Sequence, residues 1–175
     1  MVRNTPRLSF IGFGEAGQAI AAGLREAGIE SVAAWDILFP QADGQRLRQA
    51  CERMGARIAN SAADAVRGAD VVVAAVTAAS SLEAAQSVAE HLTGNPYYLD
   101  INSVSPGRKL ATAKVLEGAA RYVDVAILAP IHPARHQTPL LLAGPHASAV
   151  MPLLIDELEM RGVIAGEAIG AAAGL

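Results

Sequence analysis

The chain has 175 residues, 52% of them hydrophobic and 4% aromatic, with a formal charge of −3; that length suffices for one well-buried domain, and an acidic balance without any run of Lys and Arg argues against a nucleic-acid partner. The lone cysteine, Cys51, leaves no intrachain disulfide and no cysteine-rich metal centre, and it reads as an inert helical residue. The opening MVRNTPRLSF lacks the apolar core of a secretory leader, and the longest apolar run, Val71 to Ala79, is far shorter than the ~20 residues of a membrane span, so a cytoplasmic protein with no membrane association is expected.

Along the chain, short β-rich runs alternate with longer Ala, Leu, Glu and Arg segments. LSFIGF is followed by EAGQAIAAGLREAG and SVAAWD, and later come ADVVVAAVT, YYLDIN, RYVDVAIL and PLLLAG. The runs at 71–76 and 123–128 are apolar at nearly every position, which suits parallel strands covered on both faces. The predicted fold is therefore α/β: a Rossmann-type, doubly wound, mostly parallel sheet with helices on both faces. Gly28, Gly55, Gly68, Gly94 and Gly118 fall where helices end or turns begin, so the connections are short. Residues 1–168 read as one dinucleotide-binding domain, and 169–175 as the start of a helix leading into a further helical domain.

The first strand runs into Gly12, Phe13, Gly14, Glu15, Ala16 and Gly17, a G-x-G-x-x-G loop that opens a helix. Strand before and helix after are the context this motif requires. Gly12 permits the tight turn, Gly14 removes a side chain that would hold a pyrophosphate off the backbone, and Gly17 lets helix and strand approach. The phosphates then meet the free N–H groups and the positive end of the helix. Glu15, an acid inside a phosphate loop, is expected to point outward from the first turn. Asp36 closes the second strand 19 residues beyond Gly17, near the spacing at which an acid takes the ribose hydroxyls. Its carboxylate would repel a 2′-phosphate and no Arg or Lys follows in DILFP, so the expected cofactor is NAD, with NADP the alternative.

In such sheets ligands lie outside the carboxyl ends of the strands, so polar residues there are the candidates for chemistry. Thr77 ends ADVVVAAVT and could line the cofactor, although a strand-terminating Thr is equally natural. In DINSVSPGRK, Ser105 reads as a helix N-cap with Pro106 in the first turn. Asn102 and Ser103 are left free for cofactor, substrate or catalysis. Further on, His132, Arg135 and His136 in IHPARHQTP suit the holding of a carboxylate or phosphate, and a solvated loop accounts for them equally well. Pro133 argues against a helical His-x-x-x-His metal pair and no third ligand is apparent, so no metal site is expected. His146 to Arg161 reads as an amphipathic helix with Met151, Leu154, Ile155 and Leu158 on one face, and Val163 to Ala165 as a last short strand.

These motifs resemble those of the β-hydroxyacid and 6-phosphogluconate dehydrogenase family, over nearly the whole chain. IGFGEAG is similar to the family's glycine loop, DINSVSP to its D-x-S-T-x-x-P substrate segment, and VDVAILAP stands in place of D-A-P-V-S-G-G. Asn102 takes the position of the family's substrate-binding Ser, with Ser103 on the neighbouring Thr, while Leu128, Ala129 and Pro130 replace Ser-Gly-Gly. The resemblance implies hydride transfer between NAD(P) and a small hydroxyacid, phosphorylated ones included. It also implies a catalytic Lys just past Leu175, a homodimer formed through the following helical domain, and no turnover by residues 1–175 alone. Other readings are an imine or pyrroline-type reductase, which lacks the D-x-S-T signature, and a non-catalytic dinucleotide-sensing module, which would need the glycine loop and Asp36 but no polar substrate segment.

Overall fold

The computed structural model describes residues 5–174. Eight strands form one sheet: β1 (Leu8–Ile11), β2 (Val32–Trp35), β3 (Arg57–Ile58), β4 (Val71–Ala74), β5 (Tyr97–Asp100), β6 (Arg121–Ile127), β7 (Leu140–Ala143) and β8 (Gly162–Gly166). Their order is β3-β2-β1-β4-β5-β6-β7-β8. All pairings are parallel except β6 with β7, which run antiparallel. The order reverses between β1 and β4, so their carboxyl ends open the crevice in which a doubly wound sheet holds its ligand.

Six helices cover the sheet: α1 (Glu15–Glu26), α2 (Gln45–Arg53), α3 (Ala62–Val66), α4 (Ser81–Val88), α5 (Pro106–Val115) and α6 (Ala147–Pro152). Side chains alternate across a strand, so Val71 and Val73 of β4 join one core with Ile20 and Leu24 of α1 and Val150 of α6. Val72 and Ala74 join the other, with Val66 of α3, Val88 of α4 and Leu116 beyond α5. Two covered faces explain why β1, β4 and β5 are buried at every position.

Two expectations are corrected. The segment His146–Arg161 is not one regular helix: α6 ends at Pro152, and Leu153–Glu157 form a wider turn in which Leu158 N–H reaches back five residues to Leu153 O. The widened turn rotates the apolar stripe, so Leu154 and Leu158 are buried but Ile155 is 45% exposed. The two-residue β3 has too short an apolar run to be read from sequence, and it forms because it pairs with β2. Strand β8 is one residue longer at each end than expected. Of the tail, Gly170 has φ +94° and residues 171–174 form a 3₁₀ turn; Leu175 lies outside the described residues, as do residues 1–4 at the other end. Among the described residues no helix is long and apolar enough to cross a membrane.

Candidate functional site

At the switch point the three glycines have distinct surroundings. Gly12 has φ +93°, and a Cβ there would lie 2.1 Å from Ala75 O, so only glycine lets β1 turn this close to β4. A Cβ on Gly17 would lie 2.7 Å from Gly12 O, the close helix–strand approach expected of the third glycine. Gly14 differs: it is exposed, and a Cβ there would meet nothing within 4 Å. It precedes α1 without any side-chain cap, so the first-turn amides are left for a ligand. Glu15 is exposed and Ala16 half-buried in that first turn, whereas the Phe13 ring is fully buried against Phe10 and Phe39. Phe13 therefore serves the site only through its backbone.

The half-buried Asp36 stands just past β2 and turns back toward this loop. Its Oδ2 accepts the Phe13 N–H at 2.8 Å and its Oδ1 the Leu38 N–H at 2.9 Å. Each oxygen keeps a further acceptor site. Ile37 and Leu38, exposed by 68% and 40%, form an apolar shelf beside it. A dinucleotide fits these residues: open space before Gly14, uncapped helix amides for its phosphates, and a fixed acceptor for its ribose.

Beyond β4, Thr77 is exposed and its hydroxyl meets Ser80 Oγ at 3.1 Å. Asn102 is buried to 5% exposure and is held as a brace: Oδ1 accepts Val76 N–H at 2.8 Å, and Nδ2 donates to Asp100 Oδ1 at 2.8 Å. This corrects the expectation of a free Asn102 side chain. Ser103 is exposed and lines a cleft of about 430 Å³ with Asn102, Ser105, Lys109, Asp124 and Ile127. Ser105 caps α5 as expected, accepting Arg108 N–H at 3.3 Å with Pro106 in the first turn.

Under this cleft lies a charged cluster that the sequence reading missed. Lys109, 2% exposed, donates from Nζ to Asp100 O at 2.6 Å and lies 3.1 Å from Asp124 Oδ1 and 3.4 Å from Asp100 Oδ1. Tyr122 donates its hydroxyl to Asp100 Oδ2 at 2.6 Å, and Asp124 Oδ2 accepts Gly170 N–H at 2.9 Å. Burial, then the charge of Asp100, holds the Tyr122 phenol far above its ordinary range, so it stays protonated and donating. Register produces the cluster: Tyr98 faces Tyr122 and Asp100 faces Asp124 across β5 and β6, and α5 lays Lys109 over them. Lys109 follows Ser105 by one helical turn, a spacing legible in sequence, but nothing in the sequence announces that two strand-end aspartates converge on it.

His132 and Arg135 are not brought to Ser103. They line a separate cleft along α1 and α2, and Arg135 pairs with Glu26. Glu26 is the last residue of α1, about 17 Å along the helix axis from its phosphate-facing first turn. The pair holds the Glu26 carboxyl below its usual range, chiefly through the Arg135 hydrogen bond. His136 lies on α1 where a Cβ on Gly23 would sit 2.2 Å from Nδ1, and both ring nitrogens are buried without a hydrogen-bond partner. Burial, then the Arg135 charge, lowers its pKa. The loop packs on α1, apart from Ser103. Burial pushes the Cys51 thiol up to about 11, as befits an inert core residue. Among the described residues no three His, Cys, Asp or Glu side chains are grouped to hold a metal ion.

Comparison with known proteins agrees with this geometry. Residues 7–103 match the family model described as NADP oxidoreductase, coenzyme F420-dependent. A conserved hypothetical protein from Sinorhizobium meliloti 1021 has 32% identity and a TM-score of 0.88, with 97% of this chain and 56% of that one covered. The conserved protein MTH1747, of unknown function and reported as structurally similar to 3-hydroxyacid dehydrogenases, has 27% identity and a TM-score of 0.81 over 95% of this chain and 60% of that one. An imine reductase from Myxococcus stipitatus, solved with NADP+, has the same fold at 22% identity and a TM-score of 0.77, covering 97% and 58%. The chain spans little more than half the length of these proteins. Glycine loop, strand-end acid and sheet order converge on one assignment: the chain belongs to the family of NADP oxidoreductases, coenzyme F420-dependent, within the 6-phosphogluconate dehydrogenase-like group, and is its NAD(P)-binding oxidoreductase domain.

Proposed function

We propose that this chain holds NAD in preference to NADP at Gly12–Gly17 and Asp36, and presents it to a small hydroxyacid held against Ser103. The observation that carries this reading is the Asp36 carboxylate, fixed by Phe13 N–H and Leu38 N–H at the side of a glycine loop whose Gly14 faces open space. Asp36 takes the adenosine ribose hydroxyls and disfavours a 2′-phosphate, with the uncapped first turn of α1 holding the pyrophosphate. Thr77 and the Val76–Asn102 brace line the crevice on the β4 side.

Bound NAD(P) supplies or accepts a hydride, the one redox element of the reaction. The residues of this chain bind and orient. Asn102 fixes the ends of β4 and β5 relative to each other, and the Ser103 hydroxyl, free at the cleft mouth, hydrogen-bonds the polar group beside the reacting carbon. Fixed placement of this kind can supply roughly 7–11 kcal/mol of a barrier.

An imine as substrate is the second reading. Lys109, the buried cation of the cleft, is committed to Asp100 and Asp124, and Leu128-Ala129-Pro130 stands where hydroxyacid enzymes have Ser-Gly-Gly. Both features weaken recognition of a substrate carboxylate. A homodimer of the whole protein, formed through the following helical domain, belongs to the proposal, and exposed Ile155, Val163 and Ile164 leave apolar surface for further chain or a partner to cover.

Calorimetric titration with NADH and NADPH tests the cofactor assignment. NADH should bind, and more tightly than NADPH. Loss or gain of nicotinamide absorbance is then followed with hydroxyacids, phosphorylated sugar acids, cyclic imines and coenzyme F420, in this chain, for which no turnover is expected, and in a protein extended through the following helical domain. Failure to bind either nucleotide would sink the assignment, and turnover confined to imines would replace the hydroxyacid by the second reading.

A further inference from the structure

A continuous chain of polar contacts crosses the molecule from β4 to the tail. It runs from Val76 N–H to Asn102 Oδ1, from Asn102 Nδ2 to Asp100 Oδ1, from Asp100 to Lys109 Nζ, from Lys109 to Asp124 Oδ1, and from Asp124 Oδ2 to Gly170 N–H. Its four side chains belong to residues 5% exposed or less. Its ends are far apart in sequence, one on the cofactor side of the switch point and the other on the segment after β8.

We propose that Lys109 is a positioning residue that holds the β4 edge of the crevice, the Asn102–Ser103 segment and Gly170 in one fixed arrangement. The functional part of this inference rests on the dinucleotide reading above. Three features assign the role to Lys109. Its ammonium has three N–H donors and three acceptors within reach, so it has none left for a substrate and acts through its neighbours. It is the one cation between two buried carboxylates, and removing it would leave Asp100 and Asp124 facing each other uncompensated across paired strands. It binds the main-chain oxygen of Asp100 as well as carboxylates, and so fixes the backbone from which Asn102 and Ser103 project.

The tail end is equally constrained. Gly170, at φ +94°, packs where a Cβ would lie 2.8 Å from Pro106 Cβ, and Ile169 joins the core under α5. Displacement of Asp124 therefore frees Gly170 from the first turn of α5, beside Ser103. Through Asn102 the same loss loosens Val76 and with it the crevice wall opposite the glycine loop. The adenosine half of the site, built from Asp36 and the loop, shares no residue with the chain of contacts.

Two measurements on the chain as it stands test this. In Lys109→Met without ligand, amide hydrogen exchange at both Val76 and Gly170 should rise at least tenfold, with Leu8, bonded to Ser31 O, within about twofold. Asn102→Ala, which cuts one link, should raise Val76 and leave Gly170 unchanged. With ligand, Lys109→Met should weaken NADH about tenfold and ADP-ribose, which lacks the nicotinamide, less than twofold. Unchanged exchange at Val76 and Gly170 overturns the brace, and so does an equal rise at Leu8. Equal loss of both ligands overturns its reach into the crevice. Binding of neither ligand by the unaltered chain overturns the dinucleotide reading and the functional part together, and leaves the exchange result to judge the brace alone. If Lys109→Met does not fold, the pair Lys109→Met with Asp124→Asn, which removes one charge of each sign, must give the Val76 response.

Discussion

The Asp36 carboxylate accepts the backbone N–H of Phe13 at 2.8 Å, joining the end of β2 to the middle of the glycine loop. One group thus shapes the loop and, in the proposed site, takes the ribose, which would link the stability of the loop to cofactor choice. Asp36→Ala should cost about 1–3 kcal/mol of stability, because two backbone N–H donors lose a charged acceptor in a half-buried site. It should also lower affinity for NAD(H) more than for NADP(H), since a ribose acceptor and a repulsive charge go together. Titration of both nucleotides checks this, and a ratio of affinities that stays fixed would falsify the ribose role.

Gly14→Val separates folding from binding. A Cβ there meets no protein atom within 4 Å and the backbone is extended, so the thermal midpoint should move little. In the proposed site it fills the space the pyrophosphate would take, and NADH affinity should fall at least tenfold, about 1.4 kcal/mol. Calorimetry and a melting curve on the same sample decide; a folded variant with native affinity removes the loop from the site.

Gly12→Ala makes the opposite demand. At φ +93°, with a backbone oxygen 2.1 Å from the new Cβ, strain adds to collision, and unfolding free energy should drop by roughly 2–4 kcal/mol. A denaturant titration with unchanged midpoint would show that β1 and β4 can move apart at this turn.

Stability should also depend on pH through His136. Its pKa is lowered in the folded chain by burial and then by the Arg135 charge, while Glu159 and Glu26 act weakly in the other direction. An unfolded chain therefore takes up the proton first. This contribution is fully present above the unfolded value of 6.5 and is lost as pH falls from there through the folded value. Glu26 and Asp64, held below 4.5 and 3.8, lose their contributions only in more acidic solution. The urea midpoint should fall between about pH 7.5 and pH 5.5 and fall less in His136→Leu. Parallel falls in the two proteins would show that the imidazole is not the group responsible.

Sequence alone determined the parts of this protein that depend on local chemistry. A glycine with no Cβ supplies the positive-φ turn after β1 from its own backbone freedom, and strands covered on both faces are mostly apolar, so the glycine loop, Asp36 at its strand end, the α/β fold and the Ser105–Pro106 start of α5 were legible. Short β3 and the widened turn at Leu153–Glu157 were not, because pairing with β2 and packing against the core set them. Tertiary structure also decided what the polar residues do. Sequence does not show that His132 and Arg135 lie along α1 in a cleft apart from Ser103, with Arg135 paired to Glu26. Asn102 looks free until β4 supplies Val76 N–H. Lys109 looks like one more helical cation until the β5–β6 register sets Asp100 beside Asp124, and only burial between the two makes it the charge that holds them.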